Sequence, residues 1–262
     1  MGHIEHEQAL EFAQYLADVG GRIARRYFRG PLEISCKPDQ SPVTVADFEI
    51  ECTLRQLIRQ RYPHHGVIGE EYGRMRAGDY SWVIDPIDGT ASFAMANPLF
   101  GILIGLVFQN EPIIGLIDFP ALKERWIGDR KFAKFADGDQ VHVANASQCH
   151  FIEEARLYFS TPHPVPHAEA NLIDALCQRA AVAYRGSDCY AYGLLASGHC
   201  DLVVESGLEP CDYLPLIPVV TGAGGWITDW SGRPLDLDSG GRVIAAATKR
   251  LLYAAIDALA AS

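Results

Sequence analysis

Apolar residues recur at helical spacing near the start of the chain. Leu10, Ala13, Leu16, Ala17, Ile23, Ala24 and Tyr27 mark one face of a helix over residues 3–28, which ends before Gly30-Pro31. A second helical pattern over 47–62 stops at Pro63. Short strands are expected at 66–68 and 81–84, followed by a long pair, 100–108 and 113–119, joined by a turn near Asn110. Residues 125–143 continue as strand and hairpin. Beyond about residue 150 the texture changes: strands at 156–160, 182–184, 201–205 and 226–229 alternate with helices at 168–180, 188–197, 212–222 and 249–261. The pattern predicts a mixed α+β and α/β fold, with an antiparallel half over 1–150 and an α/β half over 151–262.

Composition narrows the class. The chain has 262 residues, enough for one large domain or two closely packed halves, with 48% apolar and 21% charged residues. A net charge of −11 argues against binding a nucleic-acid backbone. A phosphorylated substrate would need a local cluster of cations to invert the field. Seven scattered cysteines without a Cys-x-x-Cys pair fit a reducing compartment. No apolar leader or stretch of 18 apolar residues appears, and His6 stands where a myristoylation motif needs Ser or Thr. A cytoplasmic protein without a membrane partner is the expectation.

The chemistry concentrates at Trp82-Val83-Ile84-Asp85-Pro86-Ile87-Asp88-Gly89-Thr90. Val83 and Ile84 favour a strand, and Pro86 is expected to break it after Asp85. Asp85 and Asp88 at a strand end can share a hard cation such as Mg²⁺. Gly89 permits close approach of a ligand, and Thr90 can open a helix whose free N–H groups face an anion. The same residues also make an ordinary Asp-Pro turn with a helix cap. Other acidic segments add weight to a site: Gly69-Glu70-Glu71 follows Val67-Ile68, Asp212 precedes an apolar helix, and Thr44-Val45-Ala46-Asp47 supplies a hydroxyl and a carboxylate.

These motifs, in this order and spacing, resemble the inositol monophosphatase superfamily over roughly residues 10–250. The segments Arg185-Gly186-Ser187-Asp188-Cys189-Tyr190-Ala191-Tyr192, Gly198 to Glu205 and Asp212-Tyr213-Leu214-Pro215 resemble its histidinol-phosphate phosphatase branch. The resemblance implies a layered α-β-α-β-α sandwich. It implies two to three Mg²⁺ ions held by Glu70, Asp85, Asp88, Asp212 and the carbonyl of Ile87. Glu70 is the expected water-positioning base, and Gly89 and Thr90 the phosphate cradle. The Thr90 hydroxyl orients the attacking water with Asp47 as partner, although Asp47 could equally cap the 47–62 helix. Lys37 resembles a lysine in a mobile loop of the family, and is otherwise a solvated loop residue.

Asp88, Arg185, Asp188 and Glu205 are the expected substrate contacts. Carboxylates suit the ammonium and imidazolium of histidinol as well as the hydroxyls of a polyol, and Asp188 could instead cap a helix beginning at Cys189. No Cys-x5-Arg loop or nucleophile elbow is present, so direct attack by metal-activated water is expected. Gly222-Ala223-Gly224-Gly225 ends a helix and precedes a strand, the reverse of a dinucleotide loop. His199-Cys200 lacks zinc spacing. Two positions depart from the family pattern: Ala91 stands where this branch often has a basic residue, and 128–135 replaces a glycine-rich hairpin.

The expected activity is Mg²⁺-dependent hydrolysis of a small phosphorylated alcohol, L-histidinol phosphate in histidine biosynthesis, by a lithium-sensitive homodimer. Inositol 1-phosphate or a broader range of sugar phosphates is the alternative substrate. An inactive metal- or phosphate-binding regulator is the non-enzymatic alternative.

Overall fold

A computed structural model describes residues 3–37, 42–75, 77–160 and 167–260. The chain opens with α1 (His3–Tyr27), the antiparallel pair β1 (Ile34–Cys36) and β2 (Pro42–Thr44), and α2 (Val45–Arg61). Then come β3 (Gly66–Gly69), β4 (Gly73–Met75), β5 (Tyr80–Asp88), the short helix α3 (Thr90–Ala94), β6 (Gly101–Phe108), β7 (Glu111–Phe119), β8 (Glu124–Gly128), β9 (Ala133–Asp137) and β10 (Gln140–Val143). The later part contains β11 (Arg156–Ser160), α4 (His167–Arg179), β12 (Val182–Arg185), α5 (Tyr190–Ala196) and β13 (Leu202–Glu205). It ends with α6 (Pro210–Tyr213), α7 (Leu216–Gly222), β14 (Trp226–Asp229), β15 (Val243–Ala246) and α8 (Lys249–Ala260).

Strands β3 to β10 form one sheet in the order β10-β9-β8-β7-β6-β5-β3-β4, antiparallel except where β3 runs parallel to β5. Strands β11 to β15 form a second, mixed sheet in the order β12-β11-β13-β15-β14. Alternation along the strands sorts side chains between layers. On the large sheet, Trp82, Ile84, Ile102 and Ile104 pack with Leu16 of α1 and with Ile50 and Leu54 of α2. Val83, Leu103 and Ile117 face the other way, toward Leu195 of α5, Leu216 of α7 and Val203 and Ala245 of the second sheet. Leu202, Val204 and Ile244 then cover α4 and α8 through Leu176 and Leu252. The result is the α-β-α-β-α sandwich that the resemblance implied.

A glycine stripe sets how closely the middle layer approaches. Gly105 pairs with Gly115 across β6 and β7, and Gly115 with Gly128 across β7 and β8. A Cβ at Gly115 would collide with the carbonyl of Pro215, and one at Gly128 with that of Pro218. The backbone from Pro215 into the first turn of α7 therefore lies directly on the sheet.

Several local expectations need correction. Pro86 does not end the strand: β5 runs to Asp88, and one extra residue is accommodated because Asp85 pairs with Leu103 and Asp88 with Gly101. Pro86 falls inside that bulge, where the ladder to β6 is interrupted and its missing N–H is not required. The helix expected at 212–222 begins at Pro210 and is divided into α6 and α7 around Pro215. The helix expected at 188–197 begins at Tyr190, and β1, β2, β4 and β15 were not anticipated. The last residue of the helix expected at 249–261 lies outside the described residues. No described helix is long and apolar enough to cross a membrane.

Candidate active site

The site forms where the end of β5 meets the loop after β3, the N-terminus of α2 and the first turn of α6. Asp85 is buried at 2% exposure, while Asp88 and Asp212 are half-buried. One carboxylate oxygen from each lies within 4.8 Å of the other two. Asp85 Oδ1 accepts the N–H of Ile87 at 3.0 Å, and Asp88 Oδ2 accepts the N–H of Cys189 at 2.7 Å. Asp212 sits in the third position of α6, where its Oδ2 accepts the Glu209 N–H at 2.8 Å. Each acid therefore has one oxygen fixed by backbone.

Crowding raises these groups' pKa values. Burial, then the charges of Glu70, Asp88 and Asp212, hold Asp85 well above the usual carboxylate range. Burial and the Asp212 charge push Asp88 up to about 7 against the opposing Cys189 bonds. Asp212 is likewise raised to about 7, chiefly by burial and with Glu70 adding to it, although the Glu209 N–H opposes the shift. Buried acids at such distances repel one another unless a cation neutralises them, and oxygen-only donors fit a hard divalent ion. The donor set thus fits Mg²⁺.

Glu70 stands beside this cluster. Its Oε1 accepts from Lys37 Nζ at 2.6 Å, and the same ammonium lies 2.6 Å from Glu71 Oε1. Lys37 is therefore a bridge between two acids, its own pKa raised by that pair against the opposing effect of burial. Glu71 is pushed up to about 7 by burial despite Lys37.

Asp47 is fully buried and is not the N-cap of α2 but its third residue, whose carboxylate completes the capping box. Thr44 is the cap: its Oγ1 accepts the Ala46 N–H at 3.2 Å and donates to Asp47 Oδ2 at 2.6 Å. Asp47 Oδ2 also accepts the Thr44 N–H at 2.9 Å. The other Asp47 oxygen is 3.5 Å from Thr90 Oγ1, which donates to the Ile87 carbonyl at 3.0 Å. Burial raises Asp47 to about 6, against its Thr44 bonds. Gly89, at φ 79°, turns the chain from β5 into α3, so Thr90 stands at the head of that helix.

The expected substrate contacts divide. Asp188 does not cap α5, whose cap position is Cys189 with no side-chain bond. Its carboxylate instead lies against Gly89, where an added Cβ would meet Asp188 Oδ2 at 2.7 Å. Burial and the Asp88 charge push Asp188 up to about 7. Glu205, 4% exposed, accepts from Tyr192 Oη at 2.8 Å. Burial raises its pKa strongly, with Asp88, Asp188 and Asp212 adding to the shift. Arg185 stands exposed at the end of β12, the edge strand of the second sheet. The structure thus gathers Asp47, Glu70, Asp85, Ile87, Asp88, Gly89, Thr90, Asp188 and Asp212, sets Glu205 behind them, and leaves Arg185 at the surface.

Sequence reasoning missed Glu51, a fully buried carboxylate on α2. It shares the buried stripe of Ala46, Ile50, Leu54 and Ile58, and a charge on such a face was the available signal.

The sequence model of the inositol monophosphatase family matches residues 5–261. A histidinol-phosphatase of Chlorobaculum parvum is 36% identical over 256 residues, covering 94% of this chain and 96% of that protein. The chloroplastic bifunctional phosphatase IMPL2 of Arabidopsis thaliana is 45% identical over 221 residues, covering 83% of this chain. The chain spans only 63% of that plant protein. Among solved structures, an inositol monophosphatase from Zymomonas mobilis superposes with a TM-score of 0.87 at 38% identity, covering 97% of this chain and 98% of that one.

Proposed function

This chain belongs to the inositol monophosphatase family, and from that premise we propose that it hydrolyses L-histidinol phosphate to L-histidinol and inorganic phosphate. Membership makes it a phosphatase of that family, and the acidic cluster is one that could hold a metal ion. Similarity to the Chlorobaculum histidinol-phosphatase along nearly the full length of both chains supports the proposed substrate. The observation that carries the catalytic reading is the triangle of Asp85, Asp88 and Asp212 oxygens within 4.8 Å.

In this reading Asp85, Asp88 and Asp212, with Glu70 and the Ile87 carbonyl, hold two to three Mg²⁺ ions. When bound, the ions supply positive charge to the phosphoryl oxygens and lower the pKa of the attacking water. The residues do the rest by position. Thr90 holds its hydroxyl between the Ile87 carbonyl, to which it donates, and Asp47, so the lone pairs of its oxygen are left to accept from and orient a water. Glu70 accepts that water's proton, and Lys37, bridging Glu70 and Glu71, keeps the two acids together. The N–H groups of Gly89 and Thr90 cradle the phosphate. Residues 1–150 supply most of this machinery, and 151–262 contribute Asp212 and the contacts of Asp188 and Glu205.

A side-by-side turnover assay with histidinol phosphate, inositol 1-phosphate and a nucleoside monophosphate tests the assignment. The expected result is the highest kcat/KM for histidinol phosphate. A preference for inositol 1-phosphate would favour the second reading, which the 38% identity to the Zymomonas inositol monophosphatase supports.

A further inference from the structure

We propose that Glu51 is a positioning residue, and that with Arg55 it sets where the loop bearing Glu70 lies. The inference rests on the catalytic role assigned to Glu70 above. Glu51 Oε2 accepts the N–H of Glu71 at 2.7 Å, and Oε1 accepts that of Tyr72 at 3.1 Å. Arg55, one helical turn on, donates its Nε to Glu51 Oε1 at 2.7 Å and its Nη2 to the Gly73 carbonyl. The Arg55 guanidinium also lies 6.0 Å from the centre of the Tyr72 ring. Three consecutive residues after Glu70 are therefore held by two side chains of α2.

The fit is tight. A Cβ at Gly69 would fall on the Glu51 carboxylate, so the glycine preceding Glu70 leaves room for the acid that fixes the loop. A fully buried carboxylate is costly unless its oxygens are occupied. Two backbone donors and a guanidinium occupy these.

The consequence reaches across the site, because Asp47 and Glu51 lie one turn apart on α2. Asp47 meets Thr90, and Glu51 grips the loop after Glu70. One rigid helix thereby fixes the spacing between Thr90 and Glu70, the two groups that orient the water. Small displacements of such groups cost rate more than substrate affinity.

The test compares Glu51→Gln, Arg55→Lys, Leu54→Val and Glu70→Gln in the full-length Mg²⁺ enzyme, with melting temperature recorded for each. An amide at position 51 cannot accept all three donors, so Glu51→Gln should lower kcat roughly ten- to a hundredfold. It should also raise the half-saturating Mg²⁺ concentration several-fold, with KM for substrate nearly unchanged. Arg55→Lys keeps the charge but loses the fork, and should shift both quantities the same way by less; it supplies the readout if Glu51→Gln does not fold. Leu54→Val, in the core of the same helix, should lower the melting temperature and leave kcat and the Mg²⁺ requirement alone. Wild-type kcat and Mg²⁺ dependence in a folded Glu51→Gln or Arg55→Lys would overturn the proposal, as would equal shifts in Leu54→Val. Near-wild-type activity in Glu70→Gln would instead overturn the catalytic reading on which it rests.

Discussion

Asp88 Oδ2 accepts the backbone N–H of Cys189 at 2.7 Å, joining the end of β5 to the start of α5 across 101 residues of sequence. The bond fixes one oxygen of an acid in the Asp85–Asp88–Asp212 cluster from the later part of the chain. It also brings Asp188 near enough to Asp88 for the two charges to repel. The acid cluster and Asp188, a proposed substrate contact, are thus coupled through adjacent residues of the chain.

That crowding sets a pH dependence for the metal-free protein. Asp88, Asp188 and Asp212 have ordinary values of 3.8 and are raised to about 7 in the fold. Between those values the folded protein keeps protons that the unfolded chain has released, so stability falls as pH rises from about 4 to about 7. Melting in EDTA should therefore move to lower temperature across this window. Added Mg²⁺ should raise the melting temperature more at pH 8 than at pH 5, because the ion competes with those protons. A metal-free melting temperature that climbs steadily across the window would contradict the account.

The glycine stripe predicts a remote effect on the site. Gly115→Ala places a methyl against the Pro215 carbonyl, forcing α6 and α7 off the sheet. Overpacking of this kind costs about 1–3 kcal/mol. Because Asp212 rides on α6, the variant should also bind Mg²⁺ more weakly, although position 115 carries no functional group. Calorimetric titration with Mg²⁺, alongside thermal melting, checks both. Lowered stability with unchanged Mg²⁺ affinity would show that Asp212 is held independently of the stripe.

Much of the site was legible because its motifs are local. Asp85 to Thr90 is one contiguous segment, and Gly89 followed by a hydroxyl residue announces the helix start at Thr90. What the sequence concealed depended on pairing partners. The bulge that carries β5 through Pro86 exists because Asp85 and Asp88 oppose Leu103 and Gly101. The strand Val243–Ala246 is four apolar residues with no alternation, and becomes a strand through pairing with both β13 and β14. Glu51 was overlooked because a helical Glu is ordinarily solvated, and the backbone donors that make its burial tolerable arrive from a loop 20 residues on.

Substrate choice should respond to Asp188 and Glu205 in different ways. Asp188 lies against Gly89 beside the proposed phosphate cradle. A charge-assisted bond from it to the ammonium or imidazolium of histidinol is worth about 1.5–3 kcal/mol, or roughly ten- to a hundredfold in kcat/KM. Asp188→Asn should show that loss with histidinol phosphate and little with an aryl phosphate. Glu205, bonded to Tyr192 and buried, should also affect stability when changed to Gln. Equal losses on both substrates in Asp188→Asn would remove it from recognition.

If a metal centre built on Asp85, Asp88 and Asp212 drives hydrolysis, as proposed, then a Mg²⁺ titration of stripped enzyme is the decisive experiment. Phosphate release from histidinol phosphate is followed as Mg²⁺ is returned to EDTA-treated wild type and to Asp85→Asn. Wild-type activity should rise from baseline to saturation, while the variant stays lower by at least about a hundredfold, as expected for loss of a principal charge-stabilising element. Undiminished turnover by the stripped wild-type enzyme, or a variant curve that overlays the wild type, would contradict that proposal.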